Sequence, residues 1–263
     1  MTFLRIIPVV YLFSFCFGSL SVQKQEMNSA KDSLKKFYKN YLPKSKFKDQ
    51  VIKHTAFSLC YVEAYEQARW VAYKLTAEMC IGNDEERTDN FRADKDVFTG
   101  SAIPDDYKKS GYDRGHLCPA GDMAWSEITM SESFFMSNMS PQEPKFNRGI
   151  WKTLESDVRE WAKSNEEIFV VTAGVLEPGL ETIGTTNKVA IPKYYYKVLL
   201  DVKGPEQKAI AFVLPNRGSK ESVFAYAVSI DSVEKLTNID FFPALPDGLE
   251  NNLESHFNVE LWK

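Results

Sequence analysis

Apolar and polar positions alternate in distinct regimes along the chain. Residues 6–17 form one short apolar run near the N-terminus. Residues 22–50 are lysine-rich and only weakly apolar, and an ordered domain is expected from about residue 51. Residues 55–76 read as two strands around a polar turn near Glu66–Gln67. An acidic, charged stretch at 82–97 and residues 101–109 read as loop. Ile150, Trp151, Leu154, Val158 and Trp161 then recur at helical spacing, which predicts a helix over about 147–163. Residues 168–175, 193–202 and 208–215 are apolar runs of strand length. Asp231 with Glu234 three residues on predicts the opening of a short helix over 232–238. No repeat and no linker divides the chain, so the expectation is one α+β domain spanning 51–263.

The first 21 residues fit a secretory signal. Arg5 precedes the apolar run, and Ser19 and Ser21 suit cleavage before Val22. A membrane span needs about 20 apolar residues, and this run is shorter. The expected location is therefore secreted or periplasmic, with no stable membrane association. Cys16 would leave with the signal, although Phe15 before it is too bulky for a good lipobox. In an oxidising compartment Cys60 and Cys80, on runs that resemble neighbouring strands, could pair; the alternative is that Cys60, Cys80 and Cys118 are buried small apolar residues.

Composition narrows the function without naming it. The chain has 263 residues and a formal net charge of −4. That excludes an overall basic nucleic-acid coat, but not a local basic groove. The lysine-rich 22–50 segment reads either as a solvated leader or as a basic arm.

The chemistry concentrates in two segments. Asp113, Arg114, Gly115 and His116 stand consecutively, and Asn138, Asn147 and Glu155 follow. An imidazole with an ordinary pKa near 6.5 suits a general base close to neutral pH. In a hydrolysis water can itself be the nucleophile, so no serine or cysteine nucleophile is required, and Cys118 two residues away is not needed. Mg²⁺ takes hard oxygen ligands and keeps several waters, so one Asn carbonyl oxygen is a sufficient protein anchor. In a regular helix Glu155 would lie roughly 12 Å along the axis from Asn147. It is then better placed to hold a metal-bound water than to share the ion. Zinc would need Cys/His clusters, and none has the spacing. Each residue also has a structural reading. Asn147 can cap a helix, Glu155 can be an exposed helical residue, Asn138 a turn residue, and Arg114 a buried ion-pair partner. His54 and His256 lie in contexts that suggest structure. Trp151, Trp161 and 194–196 are expected mainly in the core rather than as base-stacking platforms.

The segment Asp113-Arg114-Gly115-His116 resembles the DRGH motif of the DNA/RNA non-specific endonucleases, the sugar-non-specific ββα-metal (His-Me finger) nucleases. The likeness continues through Ser137-Asn138, Pro141-Gln142, Asn147, Gly149, Trp151 and Leu154-Glu155. Upstream, Arg87 and Phe91-Arg92-Ala93-Asp94 resemble the family's R…F-x-x-D segment. Downstream, 189–192, 196–198 and 214–216 are similar to its later strands, so the likeness covers about 55–245. It implies a central antiparallel sheet carrying a ββα-metal unit over about 112–163. His116 would end the first strand, Asn138 the second, and Asn147 would open the helix. It also implies His116 as base, Asn147 as anchor of Mg²⁺ (or Mn²⁺ as substitute) and Asn138 as a positioning group. Arg114 would hold a site position and Arg87 would contact phosphate, with Arg92 as a competitor for that role. Asp113 would orient its neighbours. The expected function is metal-dependent endonucleolytic hydrolysis of DNA and RNA with little sequence preference. The rival readings are an inactive nucleic-acid-binding module and a phosphodiesterase acting on other substrates. Some relatives form homodimers, although this chain shows no obvious self-association helix.

Overall fold

A computed structural model of the chain describes residues 37, 40–82, 84–203 and 206–263. The proposed signal at 1–21, with Cys16 and Val22, lies outside the described residues, as does most of 22–39.

Thirteen strands are described, and seven of them make the central sheet. β1 is Lys44–Ser45, β2 Gln50–Lys53, β3 Phe57–Val62 and β4 Gln67–Thr76. β5 is Asp113–His116, β6 Met139–Gln142, β7 Glu167–Gly174, β8 Thr182–Ile183 and β9 Val189–Ala190. β10 is Tyr194–Asp201, β11 Lys208–Pro215, β12 Ala227–Val228 and β13 Ile239–Asp240. The helices are α1 (Ala77–Ile81), α2 (Glu127–Ser133), α3 (Lys152–Ser164), α4 (Ile230–Thr237) and α5 (Asp247–Ser255). The sheet runs β12-β11-β10-β7-β4-β3-β2, with every pairing antiparallel. β5 and β6 form a separate two-stranded ladder. The expected α+β architecture, with an antiparallel sheet at its centre, is the one observed.

β7, β10 and β11 are mostly apolar because both faces of the sheet are covered. On one face Leu154, Val158 and Ala162 of α3, one helical turn apart, pack down onto the strands. Trp161 of the same helix stacks on Phe212 of β11, with the rings 10° apart in tilt. On the other face Phe169 of β7 meets Phe37 and Tyr41, each at 4.9 Å between ring centroids. Phe37 is fully buried. Packed structure thus begins before Val51, because aromatic residues within the lysine-rich stretch close this second face.

Several local expectations change. Asn138 does not end the second strand of the small ladder; it sits in the turn Met136–Asn138 immediately before β6. Regular helix begins at Lys152 rather than Asn147. Between them Phe146–Trp151 forms a wide turn broken at Gly149, whose φ of −108° and ψ of −114° are not helical. The axial spacing of Asn147 and Glu155 for a regular helix therefore does not apply. α4 is capped by Ser229, whose side chain accepts from the Ser232 N–H, while Asp231 lies inside the first turn. Cys80 lies on α1, not on a strand. Cys60, Cys80 and Cys118 are buried free thiols.

Candidate active site

β5 and β6 exist to hold a short polar strand against the body of the fold. Gly115 pairs with Ser140 and His116 with Met139. A Cβ on Gly115 would stand 2.2 Å from the Gln142 side-chain amide, so only glycine permits this approach. Side chains alternate along β5, which sends Arg114 and His116 to one side and Asp113 to the other.

The end of β5 is locked by Asn138. Its Oδ1 accepts from the Cys118 N–H at 2.8 Å, and its Nδ2 donates to the carbonyls of Cys118 and Ser133. The backbone carbonyl of Asn138 also accepts from the Leu117 N–H at 3.0 Å. Asn138 is fully buried, and three of these four bonds fix the backbone at Leu117 and Cys118 that follows His116. Its side chain is thus wholly committed to backbone groups of the protein.

His116 lies edge-on to Phe134 at 4.8 Å and to Phe91 at 5.8 Å. Its Nε2 is buried without a hydrogen-bond partner among the described residues. Arg114 places its guanidinium 4.0 Å above Phe91, and Arg87 places its own 4.8 Å above Phe134. The same two aromatic rings thus seat the imidazole and both cations. Burial, then the charges of Arg87 and Arg114, pull the His116 pKa down to about 3. The ordinary value near 6.5 does not hold here, because a proton on this ring would have to coexist with two neighbouring cations in an apolar setting.

The structure separates the two arginine candidates. Arg92 donates to the carbonyls of Asn90 and Ser131 and to the Ser131 hydroxyl, and lies over Phe135. Three of its five donors are spent on the protein. Arg87 is exposed, has one surface ion pair to Asp89 at 2.7 Å, and its charge reaches both His116 and Glu155. Arg114 is exposed and is not a buried ion-pair partner.

Asp113 orients Asn147, in line with its expected role. The Asn147 Nδ2 donates to Asp113 Oδ2 at 2.9 Å, and Arg148 grips the same carboxylate with two bonds of 2.9 and 2.7 Å. Those bonds hold the Asp113 carboxyl below the usual carboxylate range despite its partial burial. An ionised carboxylate accepts only, so the amide nitrogen must face Asp113 and Asn147 Oδ1 is turned the other way. Asn147 is not a helix cap, because the wide turn separates it from α3.

Glu155 lies in the first turn of α3 over a buried electrostatic network that the sequence did not disclose. Asp122 is buried and accepts from Tyr73 Oη and from Arg159, each at 2.8 Å. Lys197, on β10, is fully buried with its Nζ unpartnered and 4.6 Å above the Trp151 ring. Burial pushes the Glu155 carboxyl up to about 7, while Lys197, Arg159 and Arg87 pull it back and Asp122 adds to the rise. Lys197 was visible in the sequence as the one charge inside the run 194–200, an anomaly for a strand covered on both faces.

The other sequence candidates have structural duties. His54 Nε2 meets Asp94 at 3.0 Å and stacks on Phe135, while His256 Nδ1 bonds the Ser255 hydroxyl. Trp151, Tyr195 and Tyr196 are core residues, but Tyr194 is exposed. Buried Cys118 has its thiol pushed well up by burial and supplies no thiolate.

Comparison with known proteins follows the same lines. Residues 36–248 match the family model of the DNA/RNA non-specific endonucleases. The zebrafish (Danio rerio) mitochondrial nuclease EXOG is 35% identical over 209 residues, covering 73% of this chain and 60% of its own length. Human mitochondrial endonuclease G is 31% identical, covering 74% of this chain and 70% of its own. A nuclease of the cyanobacterium Nostoc is 33% identical, with 76% and 75% covered. Among solved structures, a chain of the EndoG/EndoGI complex superposes with a TM-score of 0.71 at 31% identity. It covers 76% of this chain and 88% of that one.

Proposed function

Because the chain belongs to the DNA/RNA non-specific endonucleases, a family of phosphodiester hydrolases, we propose that it cleaves DNA and RNA internally with little sequence preference. The observation that carries this reading is the arrangement around His116: a neutral imidazole between two guanidinium groups, on the strand whose Asp113 also orients the Asn147 amide.

In this reading Arg87 and Arg114 receive the scissile phosphate and offset the negative charge that grows on it. His116 takes the proton of an attacking water. The low pKa of the free imidazole rises when a phosphate anion neutralises its two cationic neighbours, which strengthens the base only once substrate is in place. Contacts to phosphate rather than to base edges leave sequence and sugar unread.

The donor set also fits a hard divalent cation such as Mg²⁺, with Mn²⁺ as substitute. One amide oxygen is turned away from the ordered carboxylate that holds its nitrogen, and Glu155, whose charge Arg87 reaches, offers a second oxygen donor. Asn147 would hold the ion directly and Glu155 at one remove. When bound, the cation supplies charge stabilisation at the phosphate and the leaving oxygen.

We place the enzyme outside the cytoplasm on the pattern of residues 1–21 alone. The vertebrate relatives are named mitochondrial. Transit peptides are arginine-rich and amphipathic, however, whereas this segment has one arginine ahead of a mostly apolar run. No helix among the described residues is long and apolar enough to cross a membrane.

The test is a substrate panel with Mg²⁺ and with EDTA: supercoiled plasmid, single-stranded RNA, a cyclic nucleotide and a phospholipid. Cleavage of plasmid and RNA that EDTA abolishes is expected. Hydrolysis confined to the last two substrates would overturn the reading, and plasmid binding without any cleavage would make the chain a binding module.

A further inference from the structure

A second group of oxygen donors lies on elements that take no part in the His116 site. Asp231 in the first turn of α4, Glu234 one turn later and Glu254 on α5 each bring a carboxylate oxygen within 4.8 Å of the other two. Glu254 is only 6% exposed, and its Oε1 has no hydrogen-bond partner among the described residues. Glu234 Oε1 accepts the Phe241 N–H at 2.7 Å, which fixes that carboxylate in place. Asp240 and Glu250 add further negative charge around Glu254. Lys44, from β1, is a cation whose charge reaches Asp240 and Glu250.

Such an arrangement is costly as it stands. A carboxylate removed from water needs a partner, and three within this span repel one another. A proton on Glu254 would lower the charge but would leave Oε1 without a bonding partner. A cation among the three oxygens answers both difficulties. Ca²⁺ binds oxygens at roughly 2.3–2.6 Å, so two donors around one ion stand at most about 5 Å apart. The spacing observed here meets that limit. The donors are all carboxylates, with no Cys or His to favour zinc. They come from two helices and differ in burial, an irregular set that suits calcium better than the strict octahedron of magnesium.

We propose that Asp231, Glu234 and Glu254 bind a Ca²⁺ ion that clamps α4 to α5. The site is structural. Binding there stabilises the C-terminal part of the fold and leaves the hydrolytic chemistry to His116 and Asn147.

The test is thermal unfolding of the full chain, stripped of metal with EDTA and desalted. It is run with and without 1 mM CaCl₂ at matched ionic strength, in the wild type and in Asn147→Ala. The second protein removes the anchor proposed for the catalytic ion, so a response that persists in it belongs elsewhere. A rise in Tm of roughly 5 °C or more is expected in both. The rise should vanish in Glu254→Gln and in Asp231→Asn. Without calcium, Glu254→Gln should unfold at or above the wild-type temperature, because it loses a crowded buried charge. A lost response is then not a failure to fold. Plasmid cleavage by Glu254→Gln in Mg²⁺ should match the wild type, which keeps the fate of this proposal separate from that of the nuclease reading. No calcium response in the wild type, or an undiminished response in Glu254→Gln, overturns the proposal.

Discussion

At the residue scale, His116 and Glu155 are moved in opposite directions by one physical cause. Both lie in poorly hydrated surroundings, and each is pushed toward its neutral form, to about 3 for the imidazole and about 7 for the carboxyl. The base proposed at His116 needs the neutral form, which survives well into acid. In the metal-free protein, the His116 imidazole NMR signals should therefore not titrate between pH 8 and pH 5; a midpoint near 6.5 would show that the two arginines and the aromatic seat do not act as described. The depressed pKa also bears on stability. The folded protein resists protonation that the unfolded chain accepts below about 6.5, so this contribution is present above that pH and is lost as pH falls toward 3. The role proposed for Glu155 needs the ionised form, which Lys197 helps to preserve. Replacing Lys197 by Met removes that cation and fills its space with an apolar chain. The acid limb of the pH–activity profile should then move up by about one unit, with roughly fivefold lower activity at pH 7 and recovery near pH 9. Stability should change little, since an unpaired buried amine is costly in its own right. An unmoved acid limb would reduce Lys197 to a packing residue. The role proposed for His116 comes from the motif, but its pKa was not legible there, because the phenyl rings of Phe91 and Phe134 and the charge of Arg87 arrive from distant parts of the chain.

At the scale of elements, periodicity found what is long and regular. The pair β3–β4 with its turn, the strands β7, β10 and β11, and the body of α3 all carry an apolar repeat that one face or both faces of the sheet demand. What escaped is short or interrupted. α2, α5 and the strands β1 and β13 are too brief to impose a repeat. The wide turn at Phe146–Trp151 hides within an apolar pattern that is continuous with α3, and only the backbone of Gly149 marks the break. That turn matters, because it detaches Asn147 from the helix axis and lets Asp113 set the direction of its amide. The ladder of β5 and β6 depends in turn on Gly115. Its missing side chain admits Gln142, which is fully buried against it. Gly115→Ala should cost about 1–3 kcal/mol in denaturant unfolding, and it should lower activity beyond what the lost stability explains, since the strain falls one residue from His116. A fully stable and fully active Gly115→Ala protein would mean that β5 can shift without consequence.

At the scale of the whole molecule, a protein of net charge −4 can still handle a polyanion, because Arg87 and Arg114 are exposed beside His116 while much of the acidic charge lies elsewhere, as at Asp231, Glu234 and Glu254. The central sheet is the rigid reference for the site. β4 supplies Tyr73 to Asp122, β10 supplies Lys197, and α3, packed on the same face, carries Glu155 and Arg159. The β5–β6 ladder then sets His116 and the Asp113–Asn147 pair against that frame. The most direct measurement is single-turnover plasmid cleavage in Mg²⁺ by the wild type and by His116→Ala, with DNA affinity measured for each at one fixed salt concentration. His116→Ala should bind DNA about as tightly as the wild type and cleave it at least 100-fold more slowly, within the range of general-base catalysis. Cleavage that survives in His116→Ala would put the base on another residue and contradict the site described here.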